Sequence, residues 1–181
     1  MNRRNDGDVE ILLQRRPANK DTSPNLWDVS VGGHYSAGEG LEGGIREMQE
    51  ELGLSVSPAD LIQAGWRHNV AEEPGIHDRE VQDIFFLHRA LRLEDLRPDP
   101  AEVPEVALVS GADLRKLAQG RVLEIRAIGG LVDPNSLVQK RPLVLVSDEL
   151  VPRENHYYEK AVRFGRALVG GKSVGRRRRW W

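Results

Sequence analysis

Three glutamates stand close together in the segment from residue 32 to residue 54, which reads GGHYSAGEGLEGGIREMQEELGL. Glu47, Glu50 and Glu51 have the spacing i, i+3 and i+4, which places their carboxylates on one face of an α-helix. Adjacent carboxylates repel each other and weaken a bare helix. A hard divalent cation would hold such a face together, and Mg²⁺ prefers oxygen ligands. The alternative interpretation is a solvated acidic helix face, which most charge runs are.

Glycines flank and enter this predicted helix. Gly53 is expected to end it as a left-handed C-terminal cap. Gly32 and Gly33 permit a tight turn and a bare backbone close to a ligand. Gly43 and Gly44 each cost about 1 kcal/mol relative to alanine in a helix interior. We therefore expect the first turn of the helix to start late or to be loose.

The whole segment resembles the Nudix box, whose pattern is G-x5-E-x7-R-E-U-x-E-E-x-G-U, where U is a bulky aliphatic residue. The similarity extends to the stretch ahead of it, namely ILLQRR at residues 11–16, Lys20-Asp21, and PNLWDVSVGGH at residues 24–34. One Nudix subgroup, which is also similar to isopentenyl-diphosphate isomerase, has a like strand and loop there. The resemblance covers about residues 9–118. It implies an α/β (α+β) domain with the Nudix fold, a mixed β-sheet sandwiched between α-helices.

The loop that enters the helix departs from the family pattern. Glu39 follows Gly33 after five residues, as the pattern requires, but six residues instead of seven separate Glu39 from Arg46. Either Glu39 or Glu42 can therefore be the loop glutamate that pairs with the arginine. The catalytic half of the motif is intact.

The resemblance implies hydrolysis of a nucleoside diphosphate linked to a further moiety X, with Mg²⁺ as the cofactor and Mn²⁺ as a substitute. The metal ligands carried over are Glu47, Glu50 and Glu51, and the Gly32 carbonyl is a further candidate because hard cations accept backbone oxygens. The catalytic residues are expected to be Glu50, Glu51 and Arg46. The general base is open, with Glu50 and four loop carboxylates as candidates: Glu72, Glu73, Glu102 and Glu105.

Other residues ahead of the box are candidates for substrate binding. Arg15, Arg16 and Lys20 could bind the distal phosphate, since basic groups suit terminal phosphates. Surface charge on an edge strand explains them equally well. Trp27 and Trp66 are interpreted first as core residues.

Two other functions compete with hydrolysis. Prenyl-diphosphate isomerisation is disfavoured because that family depends on a cysteine and this chain has none. A non-catalytic nucleotide-binding sensor of the same fold is the second alternative, but degenerate sensors usually lose box glutamates, and here all three are present.

Composition limits the remaining choices. The 181 residues are expected to form a single domain at residues 1–170 and a basic, disordered tail at residues 171–181. The net charge is -2, of which the tail carries +5, so the rest has 21 basic residues against 28 acidic ones. A body that acidic argues against nucleic acid as a partner.

The sequence shows no apolar run long enough for a membrane helix and no signal peptide, and a cytoplasmic location is the expectation.

Hydrophobic patterning predicts the elements. Strands are expected at residues 9–15, 26–31, 61–69, 80–91, 105–110 and 143–146, helices at 41–52, 113–119 and 153–169, and loops at 71–78 and 93–104. The resemblance also implies a strand ahead of residues 9–15, for which the chain begins too late. A second chain, as in a homodimer, or residues 131–146 would then fill that place beside the sheet.

Overall fold

Antiparallel pairing organises most of the chain. The computed structural model describes residues 1–73 and 76–171, and the side chains of residues 1–70 and 79–171. Within these ranges there are three α-helices, α1 (Leu41–Leu52), α2 (Gly111–Ala118) and α3 (Tyr157–Val169). The strands are β1 (Asn2–Arg3), β2 (Val9–Arg15), β3 (Trp27–Asp28), β4 (Leu61–Glu73), β5 (Ile76–Leu87), β6 (Glu105–Ser110), β7 (Glu124–Val132) and β8 (Val138–Val146).

The main sheet has the strand order β1-β2-β6-β7-β8, and β3 pairs with β2 on the same edge as β1. Each of these ladders is antiparallel, and a single bridge between Trp27 and Leu150 is parallel. Strands β4 and β5 form a separate two-stranded hairpin. Residues 32–40 form a loop that is here called the glycine loop. Along the chain, this loop and helix α1 come between strand β3 and the hairpin.

Helices cover both faces of the sheet, because β2 alternates its apolar side chains between two cores. Val9 and Leu13 pack with α2 and α3 in one core, which also holds Trp27 and Phe164. Leu12 packs with Leu52 of α1 in the other core. The expected α+β architecture, a sheet between helices, is confirmed.

Helix α1 ends where the sequence predicts. Gly53 has φ of 67°, the left-handed conformation that favours glycine. Its N–H donates to the Gln49 carbonyl, and the Leu54 N–H donates to the Met48 carbonyl. The predicted strand at residues 105–110 and the buried Trp27 are confirmed as well. No helix within the described residues is long and apolar enough to cross a membrane.

Three expectations about the remaining elements are wrong. Residues 71–73 and 76–78 continue the two hairpin strands instead of forming a loop, because cross-strand pairing satisfies their backbone groups. Trp66 is 52% exposed, since it lies on the outward face of that hairpin. Strand β7 was not predicted, although Ile125 and Ala127 alternate with exposed residues.

The place beside β2 is also filled differently from the prediction. Asn2 and Arg3 pair with Glu10 and Val9, so the short strand β1 occupies part of that edge. Strand β8 pairs with β7 at the opposite end of the sheet, and residues 131–146 therefore do not cover β2.

Replacing Phe164 by alanine tests whether α3 belongs to the same cooperative core. Phe164 is 1% exposed, and its ring centroid lies 4.7 Å from that of Phe86 on β5. We expect Phe164→Ala to lower the free energy of unfolding by about 3–5 kcal/mol, measured by denaturant titration. Leu123→Ala, at a side chain that is 77% exposed, should change it by less than about 0.5 kcal/mol. Equal effects of the two substitutions would contradict this packing.

Candidate active site

The carboxylate of Glu51 fixes helix α1 against the sheet and the glycine loop. Glu51 is 6% exposed and accepts a 3.2 Å hydrogen bond from Gln14 Nε2 of β2. The Gly32 backbone N–H also donates to it. One side chain thus joins a helix, a strand and the loop between Val31 and Leu41.

Burial raises the pKa of the Glu51 carboxyl to about 7, and the charge of Glu47 adds to the rise, while Gln14 and the Gly32 N–H lower it. A shift of this size disfavours the ionised form by on the order of 3 kcal/mol relative to a carboxylate in water. A cation beside the carboxylate would offset that cost.

Glu47 lies against the second glycine of the loop. A Cβ atom placed on Gly33 would come within 2.9 Å of Glu47 Oε2 and 2.5 Å of its Cδ. A residue with a side chain at this position would therefore displace the carboxylate. The loop backbone and the Glu47 carboxylate form a close-fitting cradle.

Arg46 links the remaining carboxylates of the motif. Its guanidinium lies 2.8 Å from Glu50, 3.1 Å from Glu47 and 3.5 Å from Glu39. Glu39 also accepts a hydrogen bond of 2.8 Å from the Ser36 N–H. Glu42 is exposed and forms no ion pair with Arg46 in the described part of the chain. Of the two candidate loop glutamates, the structure thus brings Glu39 to the arginine.

The donor set fits a divalent cation in part. Glu47 and Glu51 lie near each other at the glycine loop, and Gln14 Oε1 is a buried acceptor without a donor among the described residues. Glu50 is turned toward Arg46 and its side chain is 57% exposed. Within the described residues no three carboxylate or histidine side chains converge as a ready-made metal site. Two carboxylates with a backbone carbonyl suit Mg²⁺, which usually keeps several waters.

The three basic residues predicted to bind phosphate are each paired with a carboxylate. Arg15 lies 3.4 Å from Glu105 and 3.3 Å from Glu149. The other two pairs are Arg16 with Asp28 at 3.2 Å and Lys20 with Glu102 at 3.2 Å. A phosphate would have to compete with these partners.

The same pairs bear on the choice of general base. Glu105 is 3% exposed and is held between Arg15 and Arg141, the latter at 2.6 Å. Glu102 is exposed and paired with Lys20. The side chains of Glu72 and Glu73 lie outside the described residues. Glu50 is the remaining candidate, and it is accessible.

The sequence analysis did not predict a buried charged cluster, whose central carboxylate is the second residue of the short strand β3. Asp28 is 2% exposed and accepts a 2.9 Å hydrogen bond from Arg153 Nε as well as the Arg16 ion pair. Burial alone would lower the pKa of Arg153, but the Asp28 carboxylate outweighs it and raises that pKa. The one signal for Asp28 was a charged residue directly after the core residue Trp27. Arg153 gave no signal, because 125 residues separate the two.

A cavity of about 1070 Å³ connects these features. Its wall includes Gly32, Gly33 and Glu47 from the glycine loop and helix α1, and Arg16, Asp28 and Arg153 from the charged cluster. His34 also contributes, and its Nε2 lies 2.6 Å from Glu80 Oε1 of β5. The cavity thus has carboxylates of the glycine loop and helix α1 at one end and paired guanidinium groups at the other.

Comparison with known proteins identifies the class. A family model of the NUDIX domain matches residues 2–128, and the chain therefore belongs to the Nudix family. An uncharacterised Nudix hydrolase of Clostridium acetobutylicum is 31% identical to this chain over 156 residues, which cover 84% of this chain and 74% of the relative. Together with the family match, this similarity shows that the chain is a hydrolase.

More distant relatives share part of the chain. An isopentenyl-diphosphate Delta-isomerase of Paenarthrobacter aurescens is 36% identical over 104 residues, and the chain spans 55% of that isomerase. Among solved structures, a protein of Deinococcus radiodurans is 24% identical with a TM-score of 0.44, and the match covers 66% of this chain and 69% of that one. A likeness at that TM-score carries no weight for function.

Two adjacent helical glycines offer a matched test of the Glu39 contact. A Cβ on Gly43 would lie 2.9 Å from both Glu39 Oε2 and Tyr35 Cδ1, whereas a Cβ on Gly44 would meet nothing closer than 3.7 Å. We expect Gly44→Ala to raise the free energy of unfolding by up to about 1 kcal/mol through helix propensity. Gly43→Ala should lose that gain and lower the turnover number, because Glu39 must move away from Arg46. Identical stability and turnover in the two variants would show that Glu39 is not held there.

Proposed function

We propose that this chain hydrolyses a small diphosphate in which a nucleoside diphosphate is linked to a moiety X, with Mg²⁺ as its cofactor and Mn²⁺ as a substitute. The observation that supports this most is the seating of Glu47 and Glu51 against the Gly32–Gly33 loop, with Glu47 in the wall of a large cavity. Nudix enzymes act on small-molecule substrates and generally use a divalent metal ion.

The proposed chemistry is in-line attack of water on one phosphorus. Such transfer depends on positioning and charge neutralisation more than on covalent help. A divalent cation, when bound, supplies that neutralisation and lowers the pKa of a coordinated water. Glu47 and Glu51 would hold it together with the Gly32 carbonyl, and Glu50 would complete the set after leaving Arg46.

The chain's own residues have defined tasks in this proposal. Arg46 holds Glu39 by a charged hydrogen bond and so keeps the loop in place, while it releases Glu50 for the cation. Glu50 is the proposed base because it is accessible, whereas Glu105 is buried between two guanidinium groups. Isomerase activity is not proposed, since the chain contains no cysteine.

The direct test is a screen of diphosphate substrates with Mg²⁺, in which released phosphate is detected after coupling to a phosphatase. A parallel screen in EDTA is the control, and activity is expected with Mg²⁺ alone. Turnover that persists at full rate in EDTA would contradict the metal assignment, and no turnover on any diphosphate would contradict the proposed substrate class.

Substitution of the box glutamates tests their catalytic role. Glu50→Gln and Glu51→Gln should each lower kcat by at least about a hundredfold at saturating Mg²⁺, because metal-assisted positioning supplies several kcal/mol of barrier reduction. Glu124→Gln, at an exposed position of β7, is the matched control and should keep the parent rate. Thermal unfolding of each variant separates loss of fold from loss of chemistry. Near-parent turnover in both box variants would refute a catalytic role for this helix face.

The basic tail is proposed to lie outside the site. Residues 172–181 fall outside the described residues, so this expectation comes from the sequence and from its charge. Deleting residues 171–181 should leave kcat/KM on a small diphosphate within a few-fold of the parent value. A loss of tenfold or more, about 1.4 kcal/mol, would place the tail in the substrate site and reopen the question of a polyanionic substrate.

A further inference from the structure

Two guanidinium groups pair with a single buried carboxylate in the cavity wall, and a third packs against the Tyr157 ring of the same wall. Arg16 and Arg153 both pair with Asp28. The guanidinium carbons of Arg67 and Arg153 lie 4.9 and 5.0 Å from the centroid of the Tyr157 ring. We name Arg16, Arg67 and Arg153 the arginine cluster. The buried Asp28 and the exposed Glu154 face these three positive charges, so the group as a whole remains positive.

Arg67 is the member of the cluster whose charge is not balanced. Among the described residues it forms no ion pair, and its Nε is buried without a hydrogen-bond partner. Among the described residues, Arg67 contacts the Asn69 side chain and the Tyr157 ring. Burial lowers the pKa of Arg67, and the nearby Arg153 lowers it further. Arg67 is half-buried and has no ion pair among the described residues, so an anionic ligand beside its guanidinium would offset the cost of its burial.

Nearby carboxylates supply this counter-charge only in part, because Asp28 and Glu154 raise the pKa of Arg67 by less than burial and Arg153 lower it. Glu154 lies in the cavity wall but is exposed, and it makes no ion pair with the cluster in the described part of the chain. Its charge is therefore screened by solvent. Asp28 is already shared by two guanidinium groups.

The cavity connects the arginine cluster to the proposed metal-binding carboxylates. Arg16 and Arg153 belong to the same wall as Gly33 and Glu47. A ligand whose diphosphate lies at Glu47 can therefore extend toward the arginine cluster without leaving the cavity. Arg153 and Tyr157 come from the chain after residue 128, where the family match ends.

We propose that the arginine cluster binds a phosphate monoester at the end of the X moiety, so that the substrate is a diphosphate with an additional terminal phosphate. This inference rests on the proposed function and deepens it. A phosphate monoester brings close to two negative charges and three acceptor oxygens to these guanidinium groups, whereas a carboxylate brings one charge and two oxygens. Guanidinium groups also bind phosphate oxygens through paired N–H donors. Asp28 acts as a positioning residue, because it holds the side chains of Arg16 and Arg153 at the cavity wall.

Titration with inorganic phosphate in EDTA tests the subsite without metal or turnover. Binding is followed by NMR against sodium chloride of equal ionic strength. We expect the parent chain to bind phosphate and Arg67→Gln to bind it at least tenfold more weakly. Arg67 is the residue of choice because its removal leaves no carboxylate unpaired. Arg115→Gln, at an exposed position of α2 outside the cavity wall, is the control and should bind like the parent.

Two results of this titration would overturn the proposal: no phosphate binding by the parent chain, or equal affinity in the parent and Arg67→Gln. Thermal unfolding shows whether Arg67→Gln is folded. If it is not, Arg67→Lys replaces it, since lysine keeps the charge and loses the paired donors. That variant is expected to bind phosphate at least threefold more weakly, and an unchanged affinity would again overturn the proposal.

A pair of substrates then connects the subsite to catalysis. The two diphosphates differ solely in a phosphate monoester on X. The parent chain should have at least a tenfold lower KM for the phosphorylated compound, and Arg67→Gln should raise that KM alone while kcat stays within twofold. Equal KM values in the parent would overturn the inference. If neither compound is hydrolysed, the proposed function fails, while the phosphate titration still decides whether the subsite exists.

Discussion

A buried carboxylate must be satisfied, and in this chain Glu51 is satisfied by two different parts of the fold. Its partners are the Gln14 side chain on β2 and the Gly32 N–H in the loop before α1. Because hydrogen bonds have narrow limits of distance and angle, the three segments cannot shift independently. The Gly53 cap and the packing of Leu52 fix the same end of the helix. The positions of Glu47 and Arg46, one turn away, follow from this anchoring.

Local features of the sequence were sufficient for the helix and the fold. The spacing and Gly53 predicted α1 at residues 41–52, its observed range, since a helix and its cap depend on neighbours within a few residues. Gly43 and Gly44 do not delay the start of the helix as expected. The hairpin was harder, because its polar residues 71–78 form strands through pairing with each other and not through their own apolar pattern. Trp66 was predicted to be a core residue. Its pairing with Asp83 instead places its side chain on the outward face of the hairpin, which the sequence alone does not indicate.

The charge pairs of the site could not be predicted from one sequence. The sequence predicts Arg15 and Arg16 as phosphate-binding candidates, but in the structure their partners include Glu105, Glu149 and Asp28. Glu105 lies 90 residues from Arg15 along the chain, and the topology of the sheet alone brings β2 beside β6. The net charge of -2 conceals this arrangement, in which acidic groups gather at α1 and basic groups gather around Asp28. The net charge of a chain is a sum over all its residues, whereas ligand binding depends on the electrostatic potential at the site.

The origin of the cavity wall along the chain has an evolutionary consequence. The glycine loop and α1 supply Gly33 and Glu47, whereas Arg153 and Tyr157 come from a segment about a hundred residues later, beyond the family match. Substitutions in that late segment can reshape one end of the cavity while Glu51, Gln14 and Gly32 keep their contacts. Mutations at sites that share no partners usually have additive effects. Single substitutions in the late segment can therefore change which ligands fit this part of the cavity, while the carboxylates of helix α1 stay in place.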